Sequence, residues 1–411
     1  MATPRIIPAL ADLTQDIAGP VPLELLYAWA AGDQHAARAE SLLEPFRVDG
    51  IVVSSDTTGL SRLTKERDLL EVLALISEPK QILHAFAVEI GGRPIGTWVA
   101  DNTQACYPRT VEAPAILSAM FEAGRRVTCE LTIGVGMCVH EGTFYDLGGG
   151  LYGLDAHIVE KLAEHHAGPG EILATGAVKG RCPAEFVFDP RDDLSPFEGV
   201  SVFSLRRAPS AGQLDPQNRR YPHPYPADFY ESLLAFKRSD APDRLRQQIY
   251  DRYLQRSVVV FLARAREPGA SWNGPGLLDD LVANVLLDSL VAGLDSARDH
   301  VAGLGGGIGI LAFDEAGEAY DVAQALRKRF NANGLRVKIG IASGPVLLFT
   351  NRRGPSGITG TPVNVASKIS EDAGVAGQIH VAADVAAQLP DIGGGPFEIT
   401  VGGVVLHGVR V

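Results

Sequence analysis

The sequence contains the same succession of strands, helices and turns twice, and this internal repeat is the feature that most limits its fold. The segment SVVVFLARAREPG echoes GIVVSSDTTG, and VKIGIASG, GTPVNVASKI and AGQIHVAAD echo LTIGVGMC, GLDAHIVEKL and PGEILATGA. Equivalent positions lie about 206 to 208 residues apart throughout. A nearly constant separation is typical of a duplicated domain, so the 411 residues hold two copies of one domain in tandem.

The repeat divides the chain into four segments. We expect a helical preface at residues 1–47, the first copy at 48–207, a proline-rich linker with short helices at 208–256, and the second copy at 257–411. Each copy mixes apolar strands, helices and glycine-turn hairpins, including a hairpin predicted in FAVEIGGRPIGTWVADNTQACYP with its first strand at residues 86–90. This mixture predicts an α+β fold. The amphipathic preface is expected to pack on a domain or on a second subunit.

Composition excludes several classes of function. The formal net charge of −12 argues against a nucleic-acid surface. No run of about 18 apolar residues occurs, and the N-terminus lacks a signal-peptide pattern, so no membrane segment is expected. The 4 cysteines form no CxxC pair, which indicates neither a zinc site nor a disulfide framework and favours a reduced, cytoplasmic setting.

The first candidate site residue is the acid that ends the first apolar strand, in IVVSSDTTGLSRLT. An ionised Asp56 in such a place needs a partner, and a carboxylate is a hard oxygen ligand suited to Mg²⁺ or Mn²⁺. Small residues follow it and predict a turn that opens a helix, whose N–H groups suit a phosphate. These residues are Thr57, Thr58, Gly59 and Leu60. The structural alternative for Asp56 is a helix N-cap.

Two further motifs complete the pattern. The segment ADNTQACYP places Asp101 in the hairpin, and GTPVNVASKI places Asn364 and Lys368 four residues apart on one helix. In order, the three motifs resemble those of the class III nucleotidyl cyclases: an acid closing the first strand, Gly-Asp-x-x-x-Ala-x-Phe, and Gly-x-x-Val-Asn-x-Ala-x-Arg. The resemblance covers most of both copies. A hairpin-end carboxylate, an exposed lysine and a locally satisfied asparagine are the structural alternatives.

The resemblance implies two ferredoxin-like domains that pair head to tail within one chain, as a pseudo-heterodimer in a monomeric protein. It implies that Asp56 and Asp101 bind two Mg²⁺ or Mn²⁺ ions, that Asn364 orients the ribose and that Lys368 stabilises the phosphate. The reaction would convert a nucleoside triphosphate into a 3′,5′-cyclic nucleotide and pyrophosphate, a chemistry that depends on positioning and charge neutralisation.

The two copies differ at these positions. By the repeat offset, Arg264 and Gly307 fall where the first copy has its two acids, and His157 and Lys161 fall where the second has its asparagine and lysine. Two related clefts are therefore expected, and one of them holds both sets of groups. The other is expected to be non-catalytic.

The sequence leaves the base open. The positions that read adenine in the family fall on Gly303 and Gly357, which have no side chain to do so. Selectivity would then depend on Ser356, Thr359 or a backbone group, or the base is a pyrimidine, as in cyclases of this superfamily that act in bacterial antiphage signalling. ATP is the family's usual substrate. The competing hypothesis is a catalytically inactive nucleotide sensor or scaffold.

Overall fold

The computed structural model describes most of the chain from residue 21 onward. The described residues are 21–58, 67–96, 102–212, 214, 216, 220–223, 225–351, 354–389, 392–401 and 404–411. For residues 254–256, 350–351 and 354–356 the backbone alone is described. The predicted site residues Gly59, Leu60 and Asp101 lie outside these ranges, as does the side chain of Ser356.

The first half of the chain contains eight strands and six helices among its described residues. The strands are β1 Arg47–Thr58, β2 Arg93–Pro94, β3 Thr103–Pro108, β4 Gly134–Leu147, β5 Gly150–Tyr152, β6 Ile172–Thr175, β7 Val187–Pro190 and β8 Val202–Arg207. The helices are α1 Leu23–Ala30, α2 Ala36–Leu43, α3 Leu69–Glu89, α4 Ala113–Glu130, α5 Leu154–Lys161 and α6 Gly176–Gly180. A 3-10 turn, Glu44–Phe46, precedes β1, and a π-helical turn, Leu162–His166, extends α5.

The second half repeats this series of elements. Its helices are α7 Ala227–Arg238, α8 Pro242–Tyr253, α9 Gly274–Ala292, α10 Asp295–Arg298, α11 Ala316–Ala332, α12 Thr361–Glu371 and α13 Ala383–Ala386. Its strands are β9 Leu254–Arg264, β10 Val301–Gly305, β11 Ile308–Phe313, β12 Val337–Asn351, β13 Gly354–Thr359, β14 Ile379–Ala382, β15 Gly395–Val401 and β16 Val404–Arg410.

Each half forms one mixed sheet of 8 strands, and the two sheets have the same topology. The first has the order β2-β3-β1-β4-β6-β8-β7 with β5 paired to β4, and the second has the order β10-β11-β9-β12-β14-β16-β15 with β13 paired to β12. The pairs β4–β6 and β12–β14 are parallel, whereas β1 and β9 lie antiparallel to both neighbours. The predicted α+β fold with two tandem domains is confirmed.

Both faces of each sheet are covered by helices. Along β1, Ile51 and Val53 pack on α3 and α4, whereas Val52 between them packs on α5. This alternation is the period of a strand buried on both faces. In the second sheet, Val260 lies in the core with α9 and α11, and Val259 lies in the core with α12. Burial of these apolar side chains is the main stabilising term in both domains.

A pair of helices precedes each sheet and packs against the opposite domain. Trp29 of α1 is fully buried among leucines of α2 and α9, and its Nε1 donates a hydrogen bond to Asp279 at 2.8 Å. In the same way, Phe229 of α7 and Tyr253 of α8 pack with Leu70 of α3. The expectation that the preface packs on a domain is confirmed. The duplicated series also includes a helix pair, which the sequence pattern had divided between a preface and a linker.

Three local predictions need correction. Residues 86–90 were predicted as a strand, but α3 continues to Glu89, because Phe86 and Ala87 remain buried against the sheet at helical spacing. Thr57 and Thr58 are the last residues of β1 rather than part of a turn, since they pair with β4. The preface was predicted as one segment, and α1 and α2 are separate helices. Within the described ranges, every helix is too short or too polar to cross a lipid bilayer.

Candidate functional site

Asp56 lies near the end of β1, on the sheet face that α5 covers. It stands four positions after Val52, which packs against α5, and side chains two or four residues apart share a strand face. The alternative of a helix cap is wrong for this residue, because Asp56 pairs with Gly136 inside the sheet. The cap of the following helix is Asp68, whose carboxylate accepts the Leu70 N–H at 3.0 Å.

An open cavity lies beside Asp56, and every side chain that lines it is polar. The lining residues are Ser54, Ser55, Asp56, Asn102, Thr103, Gln104, Glu160 and Glu164. The hydroxyls of Ser55 and Thr103 are 2.6 Å apart and join β1 to β3 at the cavity wall. The lining suits a polar ligand.

Two of the lining acids, Glu160 and Glu164, were not predicted from the sequence. They are four residues apart, on α5 and its π-helical extension, so they share one helix face. The signal was present in the segment DAHIVEKLAEHH, where the apolar residues face the sheet and the acids lie beside them. Recognising it required knowing that this helix covers the same sheet face as Asp56.

The charges around these acids have opposite effects on them. Burial by surrounding protein raises the pKa of Glu160, and the nearby charge of Glu164 raises it further, although the side chain still reaches solvent in the cleft. Burial would also raise the pKa of Glu164. The positive charges of Lys161, His165 and Lys368 outweigh that effect and lower it. The Lys161 Nζ donates to Glu164 at 3.2 Å.

The predicted residues of the second domain lie on or just before α12. Lys368 is half-buried, and its charge acts on Glu164 and His165 of the first domain. Lys368 therefore lies within electrostatic reach of an acid that lines the Asp56 cavity. Asn364 is also half-buried, and its side chain makes no hydrogen bond within the described part of the chain. Thr359 ends β13, opposite Leu347 of β12.

The strand pairing identifies equivalent residues of the two domains. In the first sheet, the β4 residue opposite Ser55 also pairs with Ile172 of β6. In the second sheet, the β12 residue opposite Leu262 also pairs with Ile379 of β14. Ile172 and Ile379 are equivalent in the repeat, in EILAT and QIHVA. Leu262 is therefore the counterpart of Ser55.

This register corrects the sequence alignment of β1 with β9 by one residue. It also makes Met137 of β4 the counterpart of Ile339 of β12, so these strands lie 202 residues apart rather than the expected 206 to 208. The counterpart of Asp56 is Ala263, and the expectation that Arg264 occupies this place is wrong. A shift of one residue moves a side chain to the other face of a sheet. Arg264 accordingly lies on the α9 face, where its guanidinium donates to Asn284 and Asp280. The inference that the second domain lacks this acid still holds, because an alanine has no ligand atom.

Gly307, the counterpart of Asp101, is constrained to remain a glycine. Its φ of 87° lies in the left-handed region, and a Cβ added there would lie 2.5 Å from the Asn284 Oδ1. An aspartate at position 307 would therefore clash and be strained. The second domain has lost both acids, and its local packing now opposes their return.

The donor chemistry beside Asp56 suits a hard divalent cation, because carboxylate and amide oxygens line the cavity. Among the described residues, however, no group of three or more His, Cys, Asp or Glu side chains is arranged to hold a metal ion. Asp101, the second predicted ligand, lies outside the described residues. Asp56 therefore fits the role of one of the two predicted metal ligands.

Comparisons with known proteins support the fold. No protein-family profile matches the sequence, and no curated protein matches it. A solved structure, described as a class III adenylyl cyclase-like ATP-binding protein from Pseudomonas aeruginosa, matches with a TM-score of 0.51 and 11% identity, over 83% of this chain and 85% of that chain. The match extends across both halves of the chain.

Two other solved structures match about one domain each. The adenylyl cyclase CyaB from P. aeruginosa matches with a TM-score of 0.36 and 14% identity, over 40% of this chain and 96% of that one. The guanylyl cyclase Cya2 matches with a TM-score of 0.34 and 11% identity, over 41% and 96%. The long match defines the fold of the chain as that of a class III adenylyl cyclase-like protein with two tandem domains.

Proposed function

We propose that the chain is a nucleotidyl cyclase with one catalytic cleft, formed where the Asp56 cavity of the first domain faces α12 of the second. The observation that carries the proposal is the position of Glu164. This residue lines the same cavity as Asp56 and lies within electrostatic reach of Lys368. The charge of a lysine from one domain thus acts on a carboxylate that lines a polar cavity of the other, which supports an intramolecular pseudo-dimer.

The proposed reaction forms a bond between the ribose 3′-oxygen and the α-phosphorus of a nucleoside triphosphate. The bond from the α-phosphorus to the pyrophosphate oxygen breaks, and the proton of the 3′-hydroxyl is released. In this scheme Asn364 holds the ribose, and Lys368 stabilises the charge that develops on the transferring phosphate. Lysine provides a point charge without the planar fork of arginine, so it would align the phosphate less well.

Asp56, together with Asp101, would bind Mg²⁺ or Mn²⁺, and the bound ions would neutralise the triphosphate and lower the pKa of the 3′-hydroxyl. Gly59 and Leu60, which follow the end of β1, have a proposed role in phosphate binding through backbone groups. The end of β13, with Ser356 and Thr359, is proposed to contact the base. ATP and pyrimidine triphosphates are both candidate substrates.

A product assay with ATP, GTP, CTP and UTP in parallel, with Mn²⁺ and with Mg²⁺, tests the proposal directly. We expect one triphosphate to give a cyclic nucleotide and an equal amount of pyrophosphate. If folded protein gives no cyclic product from any of the four with either ion, the chain is not a cyclase.

The second candidate function is a nucleotide-binding sensor or scaffold without catalysis. Two observations favour it. The structure that matches the whole chain is described as a cyclase-like ATP-binding protein. The cavity also holds Glu160 and Glu164, which repel a triphosphate unless cations accompany it. Calorimetry separates the two functions, because a sensor binds a triphosphate tightly and leaves it intact.

A further inference from the structure

Trp272, in the loop between β9 and α9, stacks directly on His157 of the opposite domain. The centroids of the two rings are 3.8 Å apart, and their planes are inclined by 15°. Burial lowers the pKa of His157 to about 4, and the positive charges of Lys161, Arg266 and His165 add to the effect. At neutral pH the contact therefore joins an uncharged imidazole to an indole.

A cation lies on the indole as well. The guanidinium carbon of Arg266 is 3.4 Å from the centroid of the Trp272 ring. Two groups this close to one ring centre would collide on one face, so His157 and Arg266 must lie on opposite faces. Arg266 is itself fixed, because its Nη2 donates to the Ser271 carbonyl at 2.8 Å and its Nε lies 3.3 Å from Asp280. The indole is thus held between a neutral aromatic ring and a cation.

The neighbouring residue attaches the same loop to the start of α5. The Asn273 Oδ1 accepts a hydrogen bond from the Leu154 N–H at 3.0 Å and so caps a helix of the other domain. Gly153, with a φ of 108°, permits this approach, since an added Cβ there would lie 3.1 Å from the same oxygen. One loop of the second domain therefore occupies both the N-terminus and one face of α5.

The repeat shows which of the two related clefts contains this contact. His157 is the counterpart of Asn364, and the Trp272 loop follows β9 as residues 59–66 follow β1. The stack therefore lies in the second of the two related clefts, opposite the half-site that has Ala263 and Gly307 in place of acids. An aromatic side chain of the protein occupies this cleft.

We propose that Trp272 closes the second cleft permanently, so that this cleft joins the domains and the chain binds one nucleotide. The proposal rests on the proposed function, which assigns nucleotide binding to the first cleft. It also accounts for the lost acids, since a cleft that is filled by its own chain has no use for metal ligands. Arg266 and His157 hold the indole in place, and Asn273 attaches its loop to α5.

Hydrogen exchange tests the closure without relying on activity. We expect Trp272→Ala to speed exchange of the amides at the start of α5, residues 154–158, by about tenfold, because one stacked pair and one cation–π contact are lost. Trp272→Phe, which keeps a ring for His157, should change this exchange by less than about threefold. Unchanged exchange in Trp272→Ala would show that the stack does not hold the cleft closed.

Calorimetry with a non-hydrolysable triphosphate analogue and Mn²⁺ tests the stoichiometry. We expect one site in the wild-type chain and none in Asp56→Ala. A second site in the wild-type chain, or a site that survives in Asp56→Ala, would overturn the closed cleft. Absence of binding in the wild-type chain would instead overturn the proposed function. The hydrogen-exchange experiment would still test whether Trp272 closes the second cleft.

Discussion

The two domains share one topology and differ in where they keep polar groups inside. In the first domain, His140 is buried and has close polar contacts at both ring nitrogens, Nδ1 lying 2.9 Å from the Thr175 hydroxyl and Nε2 2.9 Å from Asp155. Asp155 also accepts the Thr143 N–H at 2.7 Å. Apolar residues stand at the equivalent positions of the second domain. Strand register gives Ala342 and Ala382, and the repeat of GLDAHIVEKL as GTPVNVASKI gives Pro362.

The same difference separates the two candidate half-sites. The first domain has Asp56 in a polar cavity, and the second has Ala263 at the equivalent position, in an apolar core under α12. Buried polar groups are stable only when they are paired, so a domain that loses one member of a network tends to lose the others. The duplicated fold therefore depends on its apolar strands, whereas the buried polar groups differ between the two copies.

The largest expected effect is that of Asp56→Asn. If the first domain alone supplies the acids, this change should reduce cyclase activity about 100-fold or more, because the metal-binding charge is lost while the shape is kept. Asp49→Asn is the matched control on the same strand, where Asp49 accepts from the Thr143 hydroxyl at 2.6 Å outside the cavity. Its activity should stay within about twofold of wild type. Equal losses in the two variants would contradict the assignment.

A smaller effect is expected at the equivalent lysines of α12 and α5. Lys368→Ala should lower kcat about 10- to 100-fold, because a cation that faces the transferring phosphate is removed. Lys161→Ala removes the equivalent lysine of the first domain, which is paired with Glu164. The loss of kcat in this variant should be at least about tenfold smaller than the loss in Lys368→Ala. Steady-state kinetics with the identified triphosphate would measure both. Similar losses would mean that the two helices have equal roles.

The buried network of the first domain should appear in stability measurements. His140→Ala removes the imidazole contacts of the Thr175 hydroxyl and of the Asp155 Oδ1, and leaves Asp155 only its bond from the Thr143 N–H. It should lower the free energy of unfolding by about 2 kcal/mol. Thr175→Ala introduced into His140→Ala should lower the free energy of unfolding by about 1 kcal/mol less than Thr175→Ala does in the wild type, because the hydrogen bond between the two residues is already lost. His380→Ala is the control in the second domain, since His380 is equally buried and its Nδ1 has no partner among the described residues. Chemical denaturation would measure these free energies. If the losses from His140→Ala and Thr175→Ala simply add in the double variant, the two residues do not act as one network.

The smallest expected effect concerns pH. Glu164 and Glu371 are counterparts, yet their pKa values shift in opposite directions. The pKa of Glu164 is lowered. Burial and the negative charges of Glu164 and Asp372 raise the pKa of Glu371 to about 7, although the charges of Lys368 and Lys161 oppose this rise. Between its unfolded value of about 4.5 and about 7, Glu371 stays protonated in the folded state and is ionised in the unfolded state. Stability from this group is therefore present at low pH and lost as pH rises through that range.

Glu371→Gln should flatten this part of the stability profile, and Glu164→Gln should instead remove stability that the wild type keeps at neutral pH. Urea midpoints at pH 5 and pH 7 would measure both changes. Because Glu371 reaches solvent, we expect only a small shift. A Glu371→Gln variant with the same pH dependence as the wild type would contradict the assignment.

Much of the fold could be predicted because apolar periodicity is a local property of the sequence. The helix pattern around α5, the strand that ends near Asp56 and the short helices before β9 all occur close to their predicted positions. The register between the copies was less accessible. A sequence offset of one residue is small, but it exchanges the two faces of a strand, and strand pairing alone distinguished Ala263 from Arg264.

The tandem repeat and the α+β fold can be read from the sequence, because each strand and helix carries its own apolar period. Which side chains meet follows only from the way the elements pack. Glu160 joins Asp56, Trp272 stacks on His157, and Trp29 reaches α9. These partners are far apart in the chain, and no local pattern encodes a contact that depends on how separate elements pack.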